Sequence, residues 1–293
     1  MKSELPVRTL VIKDRLSKIV EEILAVAKDK IAQVILFGSY ARGNWVDETY
    51  TESHVTYSYQ SDLDILLVLK KGKYSRSKAL KIEENIENRL KKKQLEDNPW
   101  VTLIIEPISL VNKLLEKGQY FFSDIKKEGV LLYDSGEYQL PEAKELSNKE
   151  RKEIAQDDYD YWFNSANGFL IDCNHALMRG DYSKAAFELH QATERFYNAI
   201  LLVFSGYKPK LHDIRKLGCM VGNYHNDLLK IFHLDTPEQK ECFELLREAY
   251  IEARYNKNYT INKTQLDYLN ERVKKLKSIT KQICLAEIKR LDE

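Results

Sequence analysis

Phe37-Gly38-Ser39-Tyr40-Ala41-Arg42-Gly43 and Ser61-Asp62-Leu63-Asp64 are the two stretches on which the reading of this chain turns. The first follows the apolar run Val34-Ile35-Leu36, and the second opens another, Ile65 to Leu69. Val34 to Phe37 is apolar without alternation and closed by a glycine, the pattern of a short strand buried on both faces. Gly38 has no Cβ, so it can take a positive φ and let backbone approach a ligand closely. Ser39 adds a hydroxyl and an N–H to a set of amides of the kind that bind anions. Ala41-Arg42 reads as the start of a helical turn whose positive end would face the same anion. Arg42 supplies a permanently charged fork suited to phosphate.

A Gly-Ser pair by itself is most often only a turn; the acids downstream change its meaning. Residues i and i+2 of a strand point to one face, about 6.6 Å apart along the chain. Asp62 and Asp64 are therefore expected side by side at an exposed strand start, with Leu63 buried on the other face. Mg²⁺ takes hard oxygen ligands, usually one or two carboxylates plus substrate phosphates. Two such ions about 3.5–4 Å apart can clamp the attacking and leaving oxygens of an in-line displacement.

The combination resembles the nucleotidyltransferase superfamily that includes DNA polymerase β, and within it the minimal nucleotidyltransferases. Gly38-Ser39 and Asp62-Leu63-Asp64 match that family's Gly-Ser and its acidic pair. The resemblance implies that Gly38, Ser39 and Arg42 hold the triphosphate and that Asp62 and Asp64 hold two Mg²⁺ ions. The chain departs from the family twice. Asn44 to Gln60 is a long insert bearing Trp45, Tyr50, Tyr57 and Tyr59, a mix that suits a lid or hairpin over the nucleotide. The family's third carboxylate, on a later strand, has no acid at its first expected place, Thr102 of Val101-Thr102-Leu103-Ile104-Ile105-Glu106. By strand alternation Glu106 points to the side of Thr102, and it is the expected third ligand or general base.

Composition is that of a globular enzyme. The 293 residues are 43% hydrophobic and 31% charged, long enough for two domains. The formal net charge of +1 gives no global field toward nucleic acid or an acidic membrane. No apolar run approaches 18 residues and Met1-Lys2-Ser3-Glu4 opens no signal peptide, so no membrane partner is expected. Cys173, Cys219, Cys242 and Cys284 have no metal-binding spacing and read as reduced thiols of a cytoplasmic protein.

The expected fold class is α+β: an N-terminal mixed-sheet domain over 1–134, a turn-rich linker over 135–147, and an antiparallel helical bundle over 148–293. In the first part, helices near Asp14–Lys30, Ser77–Lys93, Leu110–Leu115 and Phe121–Lys127 alternate with strands ending in Gly129–Asp134. Ser147 with Glu150 is a capping box that starts a long helix. Asp181 caps the next, whose Ala185, Leu189, Ala192, Phe196, Ala199 and Val203 form a stripe. Thr236-Pro237-Glu238-Gln239 and Asn262 with Gln265 start two more, for about five helices in all.

Glu188 to Arg195, then Gly206-Tyr207-Lys208-Pro209-Lys210-Leu211-His212-Asp213-Ile214, resemble the HEPN domain, and Ala253-Arg254-Tyr255 fits the same pattern. The resemblance implies a groove with His190, Lys208, His212, Arg254 and Tyr255 as an acceptor or second site, and dimerisation through the bundle. No arginine is followed by histidine at the spacing of HEPN ribonucleases. The whole reads as an Mg²⁺-dependent transferase that moves a nucleoside monophosphate from a nucleoside triphosphate to a hydroxyl acceptor, small molecule or protein, seated between the domains. The alternatives are a nucleotide-binding regulator with a decayed triad, and a toxin–antitoxin fusion whose bundle is modified or acts on RNA.

Overall fold

The computed structural model describes residues 1–52, 55–72, 76–96 and 99–292, with backbone alone for 48–52, 55–60 and 76. It divides into two units, Met1–Glu145 and Leu146–Glu293. The first is a four-stranded mixed sheet of β1 (Ile31–Phe37), β4 (Leu63–Leu69), β5 (Val101–Pro107) and β6 (Val130–Asp134), in the order β5-β4-β1-β6. β1 runs antiparallel to both β4 and β6, while β4 and β5 are parallel. The inner strands β1 and β4 are buried nearly throughout, which is why they read as unbroken apolar runs. A parallel neighbour needs a crossover, and α3 (Arg76–Lys92) lies between β4 and β5 in the chain. Helix α1 (Lys13–Ala27) buries Leu16, Ile19, Ile23 and Ala27, spaced three and four apart, in one core with the strands and with Ile82, Ile86 and Leu90 of α3. α1 ends before the expected Lys30, replaced over Lys28–Lys30 by a 3-10 turn.

The insert is an antiparallel ribbon of β2 (Asp47–Glu52) and β3 (Val55–Gln60). The side chains of Tyr50, Tyr57 and Tyr59 lie outside the described residues. At its base Val46 N–H donates to Ser61 Oγ (2.9 Å) and Ser61 N–H to Val46 O (2.8 Å), so the ribbon leaves from one key stretch and returns into the other. The unit is completed by α2 (Gly38–Arg42), α4 (Ile108–Glu116) and α5 (Tyr120–Glu128). The stretch expected as linker is stitched back onto this unit through Lys126 Nζ to Pro141 O (2.8 Å) and Lys144 N–H to Leu115 O (3.0 Å).

The second unit is helical throughout: α6 (Asn148–Met178), α7 (Tyr182–Ser205), α8 (Ile214–Gly222), α9 (Asn226–Leu229), α10 (Pro237–Glu248), α11 (Glu252–Tyr255) and α12 (Lys263–Arg290). Five have nine residues or more, and α9 and α11 are single turns of four. The boxes at Ser147–Glu150, Thr236–Gln239 and Asn262–Gln265 are all formed, each satisfying two donors that a helix start leaves open. α7 is the central helix, packed against α6, α8, α10, α11 and α12. Its expected stripe is buried, and His190, Thr193 and Asn198 on its other faces have no exposure either. Among the described residues no helix is long and apolar enough to cross a membrane.

Candidate functional site

Gly38 turns the chain out of β1 at a φ of +73°, where an L side chain is strained. A Cβ there would fall inside the van der Waals radius of Asp64 Oδ2, with Cγ 3.2 Å away. Phe37 and Asp64 are register partners across β1 and β4, so the cradle backbone rests directly on the carboxylate. Only glycine satisfies both demands. Ser39 is buried, and among the described residues its Oγ has no hydrogen-bond partner.

The turn α2 is complete within Gly38–Arg42 and is stopped by Gly43 at φ +81°. Arg42 is thus its last residue, not the start of a longer helix as expected. Its guanidinium is half exposed, 3.7 Å from Glu128, and its charge still pulls the Asp64 pKa down. Two residues that the sequence reading passed over hold the far end of the turn. Thr9 Oγ1 donates to Tyr40 O (2.7 Å) and Lys2 Nζ to Ala41 O (3.1 Å). They satisfy carbonyls that a helix end leaves without partners.

Asp64 is 4% exposed, contrary to the exposed strand start expected for it, and Asp62 is half-buried just ahead of β4. Burial drives the Asp62 pKa from 3.8 up to about 6, against a lowering hydrogen bond from Thr102. Burial first, and then the charge of Asp62, drives Asp64 well above its ordinary value. Thr102 Oγ1 donates to Asp62 Oδ2 at 3.3 Å, and Thr102 is the register partner of Asp64. A neutral hydroxyl therefore stands at the place first searched for an acid.

Glu106 is not brought to this pair. It is buried, but its register partner is Val68, four residues along β4 from Asp64. At a rise of about 3.3 Å per residue, that is ~13 Å from the level of Thr102. Alternation placed it on the right face and at the wrong end of the strand.

Two buried carboxylates are costly to ionise without a compensating cation. A divalent ion would supply it, and an anionic ligand would meet the unpartnered Ser39 hydroxyl. Asp62 and Asp64 thus fit Mg²⁺ with the remaining oxygens drawn from phosphate. Among the described residues no group of three or more His, Cys, Asp and Glu is placed to hold a metal by itself.

In the bundle, His190 and His212 meet around Tyr250, a residue the sequence reading missed. The ring of Tyr250 stacks on His212 (4.3 Å between centroids, 15°) and lies 5.4 Å from that of His190. Arg254 sits over Tyr250 (4.5 Å), Phe187 (4.8 Å) and Tyr255 (5.0 Å), and its Nε donates to Tyr250 O. The spacing of four between Tyr250 and Arg254 was the available signal. His190 Nε2–H donates to His212 O (3.1 Å), and burial drives its pKa from 6.5 down to about 4. It is a neutral packing histidine. His212 Nδ1 faces the buried Glu194 carboxylate at 3.0 Å. Tyr255 is 76% exposed. Lys208 lies over Trp162, a ring it shares with Arg195.

Residues 18–138 match the family model described as polymerase beta, nucleotidyltransferase. Residues 159–286 match the HEPN domain model. No curated protein matches the chain.

Proposed function

We propose that this chain, in which a polymerase beta-type nucleotidyltransferase domain precedes a HEPN domain, moves a nucleoside monophosphate from a nucleoside triphosphate to a hydroxyl acceptor. The observation that carries the reading is the seating of the Gly38 backbone on Asp64, which makes the phosphate cradle and the acidic pair one site. Asp62 and Asp64 would hold Mg²⁺, which supplies charge neutralisation to the triphosphate. Ser39 Oγ donates to a phosphate oxygen, and Arg42 offers a cation at the open side of the turn. Thr102 orients Asp62 through its hydroxyl. The acceptor oxygen bonds to the α-phosphorus, the bond to the bridging oxygen breaks, and pyrophosphate leaves with its electron pair. Positioning and electrostatics carry the rate.

A regulator that binds nucleotide without turnover is favoured by one observation, the neutral Thr102 beside Asp62. Incubation with each α-labelled nucleoside triphosphate and Mg²⁺ separates the readings. Pyrophosphate release that disappears in Asp64→Asn supports the transferase. Retention of label without pyrophosphate supports the regulator. For the bundle as a ribonuclease the geometry offers little, since His190 is fully buried with its Nε2–H committed to a carbonyl.

A further inference from the structure

We propose that α6 is the interface of an antiparallel, two-fold symmetric dimer of this chain. The proposal does not depend on the catalytic reading. Ile154, Tyr161, Ile171 and Met178 of α6 are 41%, 66%, 53% and 76% exposed. With Asp157, Asn164, Gly168 and His175, also exposed, they follow one another at steps of three and four along the helix. That is a single seam of the kind two helices share, about 3.5 heptads long.

The seam is a palindrome about residue 166. Inverting the helix on a perpendicular two-fold axis at that level sets Ile154 against the partner's Met178 and Tyr161 against the partner's Ile171. It also sets Asp157 against the partner's His175, and Asn164 against the partner's Gly168. Such an interface requires that if i meets j then j meets i, and every pair here meets that condition with matching chemistry. Apolar faces apolar, acid faces imidazole, and the amide is set opposite the residue with no side chain. A parallel pairing would put Asp157 on Asp157 and His175 on His175. Polar residues within a seam commonly fix orientation in this way.

Gly168 is an independent observation. A glycine inside a helix weakens it, and a Cβ at this position would meet no atom of this chain within 4 Å. The chain's own packing does not ask for glycine there. A second backbone crossing beside the two-fold axis does.

Sedimentation equilibrium of the full chain is expected to give the dimer mass, and Tyr161→Glu or Ile171→Glu to give the monomer mass with an unchanged melting temperature. Asp157→Lys should weaken association, and Asp157→Lys with His175→Glu should restore it. Mixed Ile154→Cys and Met178→Cys chains should trap a disulfide-linked dimer under mild oxidant. Ile154→Cys alone should trap none beyond the background of the wild-type chain. A wild-type monomer at the highest soluble concentration would overturn the proposal. So would a dimer indifferent to the glutamates, or efficient cross-linking by Ile154→Cys alone, which marks a parallel pair.

Discussion

At neutral pH the folded chain holds Asp62 ionised against surroundings that favour the acid form. Its folded pKa lies above its ordinary value, so the folded state binds more protons than the unfolded one between pH 3.8 and about 6. Stability of the metal-free protein therefore falls as pH rises through that window, by on the order of 3 kcal/mol for this one group. Asp62→Asn should remove that slope and raise the melting temperature at pH 7 while abolishing turnover. Mg²⁺ with nucleotide should stabilise the wild type and leave the Asn variant unmoved. A fall in the variant's melting temperature at pH 7 would contradict the burial argument. His190 acts in the opposite direction: its pKa is depressed from 6.5 to about 4, so stability is lost as pH falls through that interval. His190→Gln should flatten the acid limb of a denaturant series between pH 6.5 and 4, and a limb unchanged by the substitution would place the acid sensitivity elsewhere.

The turn from β1 into α2 is where an element and a site coincide. Gly38→Ala adds both a strained φ and an overlap with Asp64. Gly136→Ala adds the strained φ alone, because at +75° its Cβ would meet nothing within 4 Å. Urea midpoints should show the Gly136 variant destabilised by about 1–2 kcal/mol and the Gly38 variant by distinctly more, with nucleotide binding lost only in the latter. Equal losses would mean that Asp64 yields without cost. The β4–β5 register makes a second test. Glu106→Gln should leave the rate constant unchanged, since Glu106 stands level with Val68. Thr102→Val removes a hydrogen bond that lowers the Asp62 pKa, so it should move the acid limb of the pH–rate profile upward. Loss of rate on Glu106→Gln would restore it to the site.

At the scale of the whole molecule, each unit has a core of its own, divided between Glu145 and Leu146. Units with separate cores unfold separately unless an interface joins them firmly. Calorimetry should resolve two transitions, with Mg²⁺ and nucleotide raising one of them and His190→Gln altering the acid sensitivity of the other. A single transition that responds to both changes would show one cooperative unit.

Local order was the legible part. Caps, apolar stripes and unbroken strand runs marked the helices and the inner strands, because each depends on residues within a few positions of one another. The Gly38-Ser39 and Asp62-Leu63-Asp64 stretches were recognisable for the same reason. Alternation also identified the face of β5 that carries Glu106, but not its register, since register is set by which residue of β4 lies opposite. The sequence by itself determined the elements, the two-part organisation and the candidate acids. The tertiary structure alone decided that Asp64 is buried under the Gly38 backbone, that Thr102 and not Glu106 stands beside Asp62, and that Tyr250 joins His190 to His212. Those outcomes depend on pairing and packing between residues far apart in the chain, for which no local pattern carries a signal.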